Sequence, residues 1–136
     1  SSVAAWSLTN IAGVRIDEYC PLCDKGCEGV ERDELYLRVK EAAYEIIKRK
    51  GATNFAIAMG VRRILETIIR DEKSVLTVSS LMEGYYGIND VALSLPSIVG
   101  KQGIERVLEL PLREEEVIGL RKSAEILKET CVNVGI

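Results

Sequence analysis

Cysteines have the sharpest chemical spacing in this sequence. Cys20-Pro21-Leu22-Cys23 followed by Cys27 makes a C-x2-C-x3-C run, and Cys131 adds a fourth thiol far along the chain. Thiolates so spaced could hold zinc or an iron–sulfur cluster, but either needs four ligands, and structural zinc usually draws on two close pairs. Unligated thiols in a loop are the favoured reading, so no metal is assigned. Histidine is absent, which removes an imidazole base, a histidine metal ligand and any histidine-centred triad. Gly26-Cys27-Glu28-Gly29 and Gly84-Tyr85-Tyr86-Gly87 match neither the dinucleotide fingerprint nor the phosphate loop.

The other candidates have ordinary structural roles available. The acidic runs Asp17-Glu18, Asp71-Glu72 and Glu114–Glu116 fall at helix ends or in loops, where carboxylates are commonly just solvated. Arg62-Arg63 with Arg70 makes a basic patch on a helix, better read as solvent-facing or as subunit interface than as an anion site. Tyr85-Tyr86 is expected to pack on a sheet edge rather than serve as a ligand platform. Thr53 stands at a helix start. It can cap that helix, or share in holding an anion with the free N–H groups there.

The elements that must position these groups are legible from patterning. The chain has 136 residues, of which 47% are hydrophobic and 29% charged. That fits one globular domain and excludes disorder. Lys and Arg number 18 against 21 Asp and Glu, a net charge of −3, so there is no broad basic field for nucleic acid. No apolar run approaches the roughly 20 residues of a membrane span, and no secretory leader opens the sequence. A cytoplasmic, soluble domain is expected, with its thiols reduced.

Leu35, Val39, Ala42 and Ile46, flanked by Ala43 and Ile47, predict an amphipathic helix over 31–50 that ends at Gly51. Its acidic first turn and basic Lys48-Arg49-Lys50 end match the helix dipole. A second helix is predicted from Thr53 or Asn54, through Ala58, Val61, Leu65 and Ile68, to Arg70. Strands are expected over 74–82, 91–95 and 104–110, with turns at Asn89-Asp90 and Lys101-Gln102-Gly103. The last helix is predicted over 114–130, with Val117, Leu120, Ala124, Leu127 and Cys131 on its buried face. Arg113 is a poor cap there, and Glu116 is expected to reach back to it. The uncharged opening, Ser1 to Val14, reads as the continuation of something upstream. This order implies an α+β fold, a mainly antiparallel sheet packed by long helices, as one domain over 1–136.

Three stretches carry a family resemblance. Tyr44-Glu45-Ile46-Ile47 to Lys50-Gly51-Ala52-Thr53, with Phe55-Ala56-Ile57, resembles the A-Y-E-(V/I)-I-x-x-K-G-x-T-x-(W/Y/F)-(A/G)-I segment of L-lactate dehydrogenases. Tyr86-Gly87-Ile88-Asn89-Asp90-Val91 to Leu93-Ser94-Leu95-Pro96 resembles their Y-G-I-x-D-V strand, and Leu112 to Ala124 resembles their last helix. The chain is thus similar, along its whole length, to the C-terminal, substrate-binding domain of the lactate/malate dehydrogenase superfamily. Two features depart from the pattern: the cysteine-rich loop, and Arg113 at a position usually held by Ser, Thr or Asn.

The resemblance implies that the catalytic histidine, in a G-E-H-G-D motif, and the Rossmann domain that binds NAD both lie upstream of Ser1. No catalytic residue is then expected within this chain. The intact enzyme would pass a hydride between NADH and a 2-oxo acid, with Thr53 beside the substrate and Ile57 against the nicotinamide. Pyruvate and lactate are preferred as substrates over oxaloacetate and malate because of the Gly51-x-Thr53 and Ile57 pattern. A homotetramer or homodimer acting in cytoplasmic pyruvate fermentation would follow, with no nucleic-acid or membrane partner. The alternatives are a malate dehydrogenase of the same superfamily, or a non-catalytic fragment serving only in oligomerisation.

Overall fold

The computed structural model describes residues 2–22 and 31–135. Cys23, Cys27 and the side chain of Cys20 lie outside the described residues, and with them the metal question raised by their spacing. Among the described residues no group of three His, Cys, Asp or Glu side chains could hold a metal ion. Nor is any described helix long and apolar enough to cross a membrane. The chain divides into two compact units, residues 4–60 and residues 61–136 with 1–3.

The first unit begins with a 3-10 turn, Trp6–Leu8, followed by a hairpin, and the sequence reading left both unassigned. β1 (Asn10–Ile11) pairs antiparallel with β2 (Val14–Arg15). The two linking residues, Ala12 (φ 52°) and Gly13 (φ 86°), are both left-handed, as a tight hairpin of the strand-matching hand requires. The Asn10 side chain accepts the Gly13 N–H at 3.2 Å and fixes the turn. A short helix, α1 (Ile16–Leu22), follows with Ile16 buried. Asp17, expected to be merely solvated, instead pairs with Arg32 at the start of α2 (Arg32–Lys50).

α2 has the predicted bounds within one residue. Asp33 and Glu34 load its first turn, and Lys48, Arg49 and Lys50 its last. Gly51 ends it in the left-handed conformation (φ 77°), donating its N–H to the Ile47 carbonyl at 2.7 Å. No α2 residue is buried, and Val39 on the apolar stripe is 69% exposed. α3 (Asn54–Ile69) starts two residues after Ala52, as expected, and the boundary between the units falls within it.

The second unit is built on a three-stranded antiparallel sheet in the order β3 (Ser74–Glu83), β4 (Asn89–Gly100), β5 (Gly103–Val107). Val91, Leu93, Leu95, Ser97 and Val99 are buried at every second position of β4. Met82, Ile88, Val91, Leu93 and Leu95 pack with Ala124 of α4 (Glu114–Asn133), and Leu120 and Leu127 close the edge of this core.

β4 runs past Pro96, where the sequence reading had ended it. Pro96 lies opposite Thr77 of β3, and its carbonyl accepts the Leu108 N–H at 2.9 Å. In an antiparallel strand the N–H and C=O of one residue point to the same side. The missing proline N–H therefore faces the end of β5, and the β3 ladder stays whole.

The β3–β4 turn also sits earlier than expected. Gly84 (φ 99°), Tyr86 (φ 53°) and Gly87 (φ 73°) reverse the chain, and Asn89 is already paired with Glu83. Tyr86 anchors this turn from four sides. Its hydroxyl donates to the Leu110 carbonyl and accepts the Leu110 N–H, both at 2.8 Å. Its own N–H donates to Glu109 at 2.9 Å, and its carbonyl accepts Arg121 Nε at 2.8 Å.

Tyr86→Phe would strip both partners from the Leu110 peptide. A loss of about 1–3 kcal/mol of stability is expected, read from urea unfolding. Burial raises the Tyr86 phenol above its ordinary range, the Leu110 hydrogen bond opposes this, and the Glu109 charge adds to the rise. The folded state thus holds this proton more tightly than the unfolded chain does. Its contribution is complete below the ordinary tyrosine value and is lost as pH climbs through the raised one. The stability gap between wild type and Tyr86→Phe should therefore narrow only in strong alkali.

α4 confirms the capping expectation and corrects its far end. Glu116, although buried, reaches back to accept the Arg113 N–H at 2.9 Å and completes a capping box. Cys131, expected on the buried face, is exposed. Side chains of α4 touch the core only as far as Leu127, so the helix continues to Asn133 with all faces in solvent.

Candidate functional site

The α2–α3 junction brings several of the sequence candidates together within the first unit. Left-handed Gly51 stops α2, and two residues later Thr53 precedes the first residue of α3. The turn encloses a hollow of about 350 Å³ lined by Ile46, Arg49, Lys50, Thr53, Asn54 and Phe55, among others. Thr53 is half-buried in it. Ile57 follows Thr53 by four positions, one helical turn, and is 62% exposed. It is not part of the hollow's lining; it offers an uncovered apolar surface in the first turn of the same helix.

The electrostatics of the hollow are cationic. Lys48-Arg49-Lys50 is the one run of three basic residues in a chain whose net charge is −3. Arg49 is partly neutralised by Glu45, its Nη2 lying 3.2 Å from the carboxylate across exposed surface. Lys50 has no ion-pair partner among the described residues. The free N–H groups at the start of α3 add partial positive charge. A small anion with an apolar remainder suits such a place. Arg49 and Lys50 were missed as site residues because the end of the helix dipole accounts for them fully; the signal available was their closeness to Thr53 across one glycine turn.

The rival basic patch is spoken for. Arg62 bonds Glu66 at 3.0 Å, and Arg63 reaches Glu72 at 2.6 Å and Ser74 at 2.9 Å. Arg70 lies 4.0 Å from the same Glu72. The Arg63 hydrogen bond holds the Glu72 carboxyl below the usual carboxylate range against a smaller opposing effect of burial, with help from Ser74 and Thr67. Asp71 accepts the Lys101 N–H at 2.8 Å. Both members of the Asp71-Glu72 pair, expected to be solvated, therefore tie α3 and the turns to the sheet.

Tyr85 and Tyr86 pack against the sheet core. Gly87 to Asp90 line a second hollow of about 350 Å³ with Arg121, Glu125 and Lys128 of α4. Charges of both signs surround it, so it has no marked preference for a ligand of one sign.

Comparison with known proteins gives the same picture over the whole chain. The family model described as lactate/malate dehydrogenase, alpha/beta C-terminal domain, matches residues 1–134. An L-lactate dehydrogenase of Thermoanaerobacter sp. (strain X514) is 55% identical over 136 residues, all of this chain and 44% of that protein. Among solved structures, an L-lactate dehydrogenase from Clostridium thermocellum is 39% identical with a TM-score of 0.82, covering 97% of this chain and 42% of its own. The malate dehydrogenase from Archaeoglobus fulgidus in complex with NADH is 35% identical with a TM-score of 0.75, over 81% of this chain and 37% of its own. The chain thus spans less than half the length of the relatives it matches. Fold, motif order and family model agree from the first residues to the last helix, and the chain belongs to the lactate/malate dehydrogenase family, as its alpha/beta C-terminal domain.

Proposed function

We propose that this chain is the substrate-side domain of an NAD-dependent L-lactate dehydrogenase, interconverting pyruvate and L-lactate. The observation that carries the reading is Thr53, half-buried in a cationic hollow one turn before an uncovered isoleucine. Similarity to L-lactate dehydrogenases along the full chain favours lactate. Malate dehydrogenase remains the second reading, on the strength of the lower-scoring structural match. The family domain is taken to run over 1–136, since its model passes through both compact units.

The residues present fit the nicotinamide end of the cofactor and no more of it. Ile57 supplies an exposed apolar side chain that a flat ring can cover, while no glycine-rich turn in the sequence suits the pyrophosphate. NADH, when bound, supplies the hydride. Thr53 Oγ1 offers a hydrogen bond to the anionic 2-oxo acid and fixes its orientation. Ile57 keeps water from the transfer path. These 136 residues contain no histidine to give the carbonyl oxygen its proton, and that step is assigned to no residue of this chain. Assembly as a homotetramer in the cytoplasm, in pyruvate fermentation, belongs to the same proposal.

The test is steady-state turnover by the full-length gene product, with pyruvate and oxaloacetate compared as kcat/KM. Pyruvate is expected to be preferred. A preference for oxaloacetate would keep the family and replace lactate with malate.

A further inference from the structure

We infer that Glu72 is a positioning residue: its carboxylate ties α3 to the sheet and so sets where Thr53 and Ile57, at the other end of that helix, stand during hydride transfer. This rests on the proposed function and names what holds its two site residues in place. α3 has little apolar anchorage of its own. Phe55, Met59, Val61, Leu65 and Ile69 are exposed, Ile64 and Ile68 are half-buried, and Thr67 is its one buried residue. The side chains that do hold it converge on Glu72, in the turn between α3 and β3. Glu72 Oε2 lies 2.6 Å from Arg63 Nη1 and accepts the Thr67 hydroxyl at 3.4 Å and the Ser74 hydroxyl at 3.2 Å. Arg63 also donates through Nη2 to Ser74 Oγ at 2.9 Å. Arg63 and Thr67 belong to α3 and Ser74 opens β3, so one carboxylate bridges helix and strand.

A tie at this end of α3 has leverage at the other. The helix is uninterrupted from Asn54 to Ile69, and Thr53 stands about 15 Å along its axis from Arg63 at 1.5 Å per residue. Over that length a tilt of about 4° displaces Thr53 by about 1 Å, and a misplacement of that size can cost about 10²-fold in rate. The Arg62–Glu66 pair, at 3.0 Å, lies wholly within α3. It stiffens the helix without tying it to the strand, so Glu66→Gln is the matched control.

The experiment is a single turnover of the full-length protein, loaded with NADH and mixed with saturating pyruvate, or with oxaloacetate should that be the better substrate. The amplitude of the absorbance decay counts intact sites, and its rate constant reports how well each site is set. Glu72→Gln is expected to lower the rate constant about three- to tenfold, as a small misalignment of the reactants does. Arg63→Gln unties the same bridge from the helix side and should match it. The double variant should then be no slower than either single one, because both act through one network. Glu66→Gln should change the rate constant by less than about 1.5-fold, the pair it breaks being an exposed one within a helix. A smaller amplitude at an unchanged rate constant would mean that Glu72 serves folding alone, and would overturn the inference. Additive losses in the double variant, or an equal loss from Glu66→Gln, would overturn it too, and each of these results leaves the proposed function standing. Failure of the full-length wild type to oxidise NADH with either substrate would remove the proposed function, and the inference with it.

Discussion

A polypeptide of these 136 residues alone is expected to leave NADH unconsumed in the presence of pyruvate. Reduction of a carbonyl needs a nicotinamide held face to face with the oxo carbon and a proton delivered to the oxygen. The chain has Ile57 for one side of the ring, but that side chain is 62% exposed, and Phe55 and Met59 near it on α3 are exposed as well. Without enclosure the reactants forgo the effective molarity of an oriented pair, on the order of 10⁵–10⁸ M in favourable cases. The absent imidazole costs about another 10²–10⁴-fold where it serves as general acid. The two losses together put turnover far below the drift of an absorbance assay. The measurement is NADH absorbance with pyruvate, using monodisperse material of confirmed 15.0 kDa mass whose far-ultraviolet circular dichroism shows helix and sheet. Turnover above background from such material would mean that a residue of this chain donates the proton, and would overturn the expectation that none of its residues is catalytic.

The parts of this fold that were legible in the sequence are those with local chemical markers. α2 and α4 could be bounded to within a few residues because each carries charges matched to its dipole and a recognisable end, Gly51 for one and the Arg113–Glu116 box for the other. The β1–β2 hairpin was invisible because one of its two left-handed residues is Ala12, a type that rarely adopts that conformation and so gives no turn signal. β4 was cut short at Pro96 because a proline inside a central strand normally ends it. Whether the missing N–H faces a neighbour or the end of one depends on the length of β5, which is a tertiary fact.

Periodicity has a similar blind spot. It put Cys131 in line with Leu127 and Ala124, but a stripe records which residues share a face and not where the partner surface stops. The uncovered stripe of α2 makes the same point from the other side: Val39 and Ile46 are spaced to be buried, yet they are exposed in this chain. At the site, Thr53 and Ile57 were named through family resemblance, with helix-start physics in support. Arg49 and Lys50 escaped because one sufficient explanation, the helix dipole, hid a second.

Replacing Thr53 with alanine in the full-length protein is expected to lower kcat/KM for pyruvate by about 10- to 150-fold. That corresponds to about 1.5–3 kcal/mol, the usual worth of a hydrogen bond to a charged group. The loss should fall on catalysis and substrate affinity far more than on folding, because Thr53 is only half-buried. If its hydroxyl also caps α3, about 1 kcal/mol of stability goes with it, which is why thermal unfolding must be recorded beside the kinetics. Two further substitutions separate the hydroxyl from the methyl group. Thr53→Ser keeps the hydrogen bond and should retain activity within a fewfold of wild type, while Thr53→Val keeps the shape and should fall with alanine. An alanine variant within twofold of wild type would take Thr53 out of the substrate site. A serine variant as poor as alanine would mean that the threonine methyl, packing in the hollow, sets the geometry and the hydroxyl does not. The kcat and KM components then locate the contact. A rise in KM alone marks binding shared by ground and transition states, whereas equal losses in kcat and kcat/KM mark a bond made only as the hydride moves.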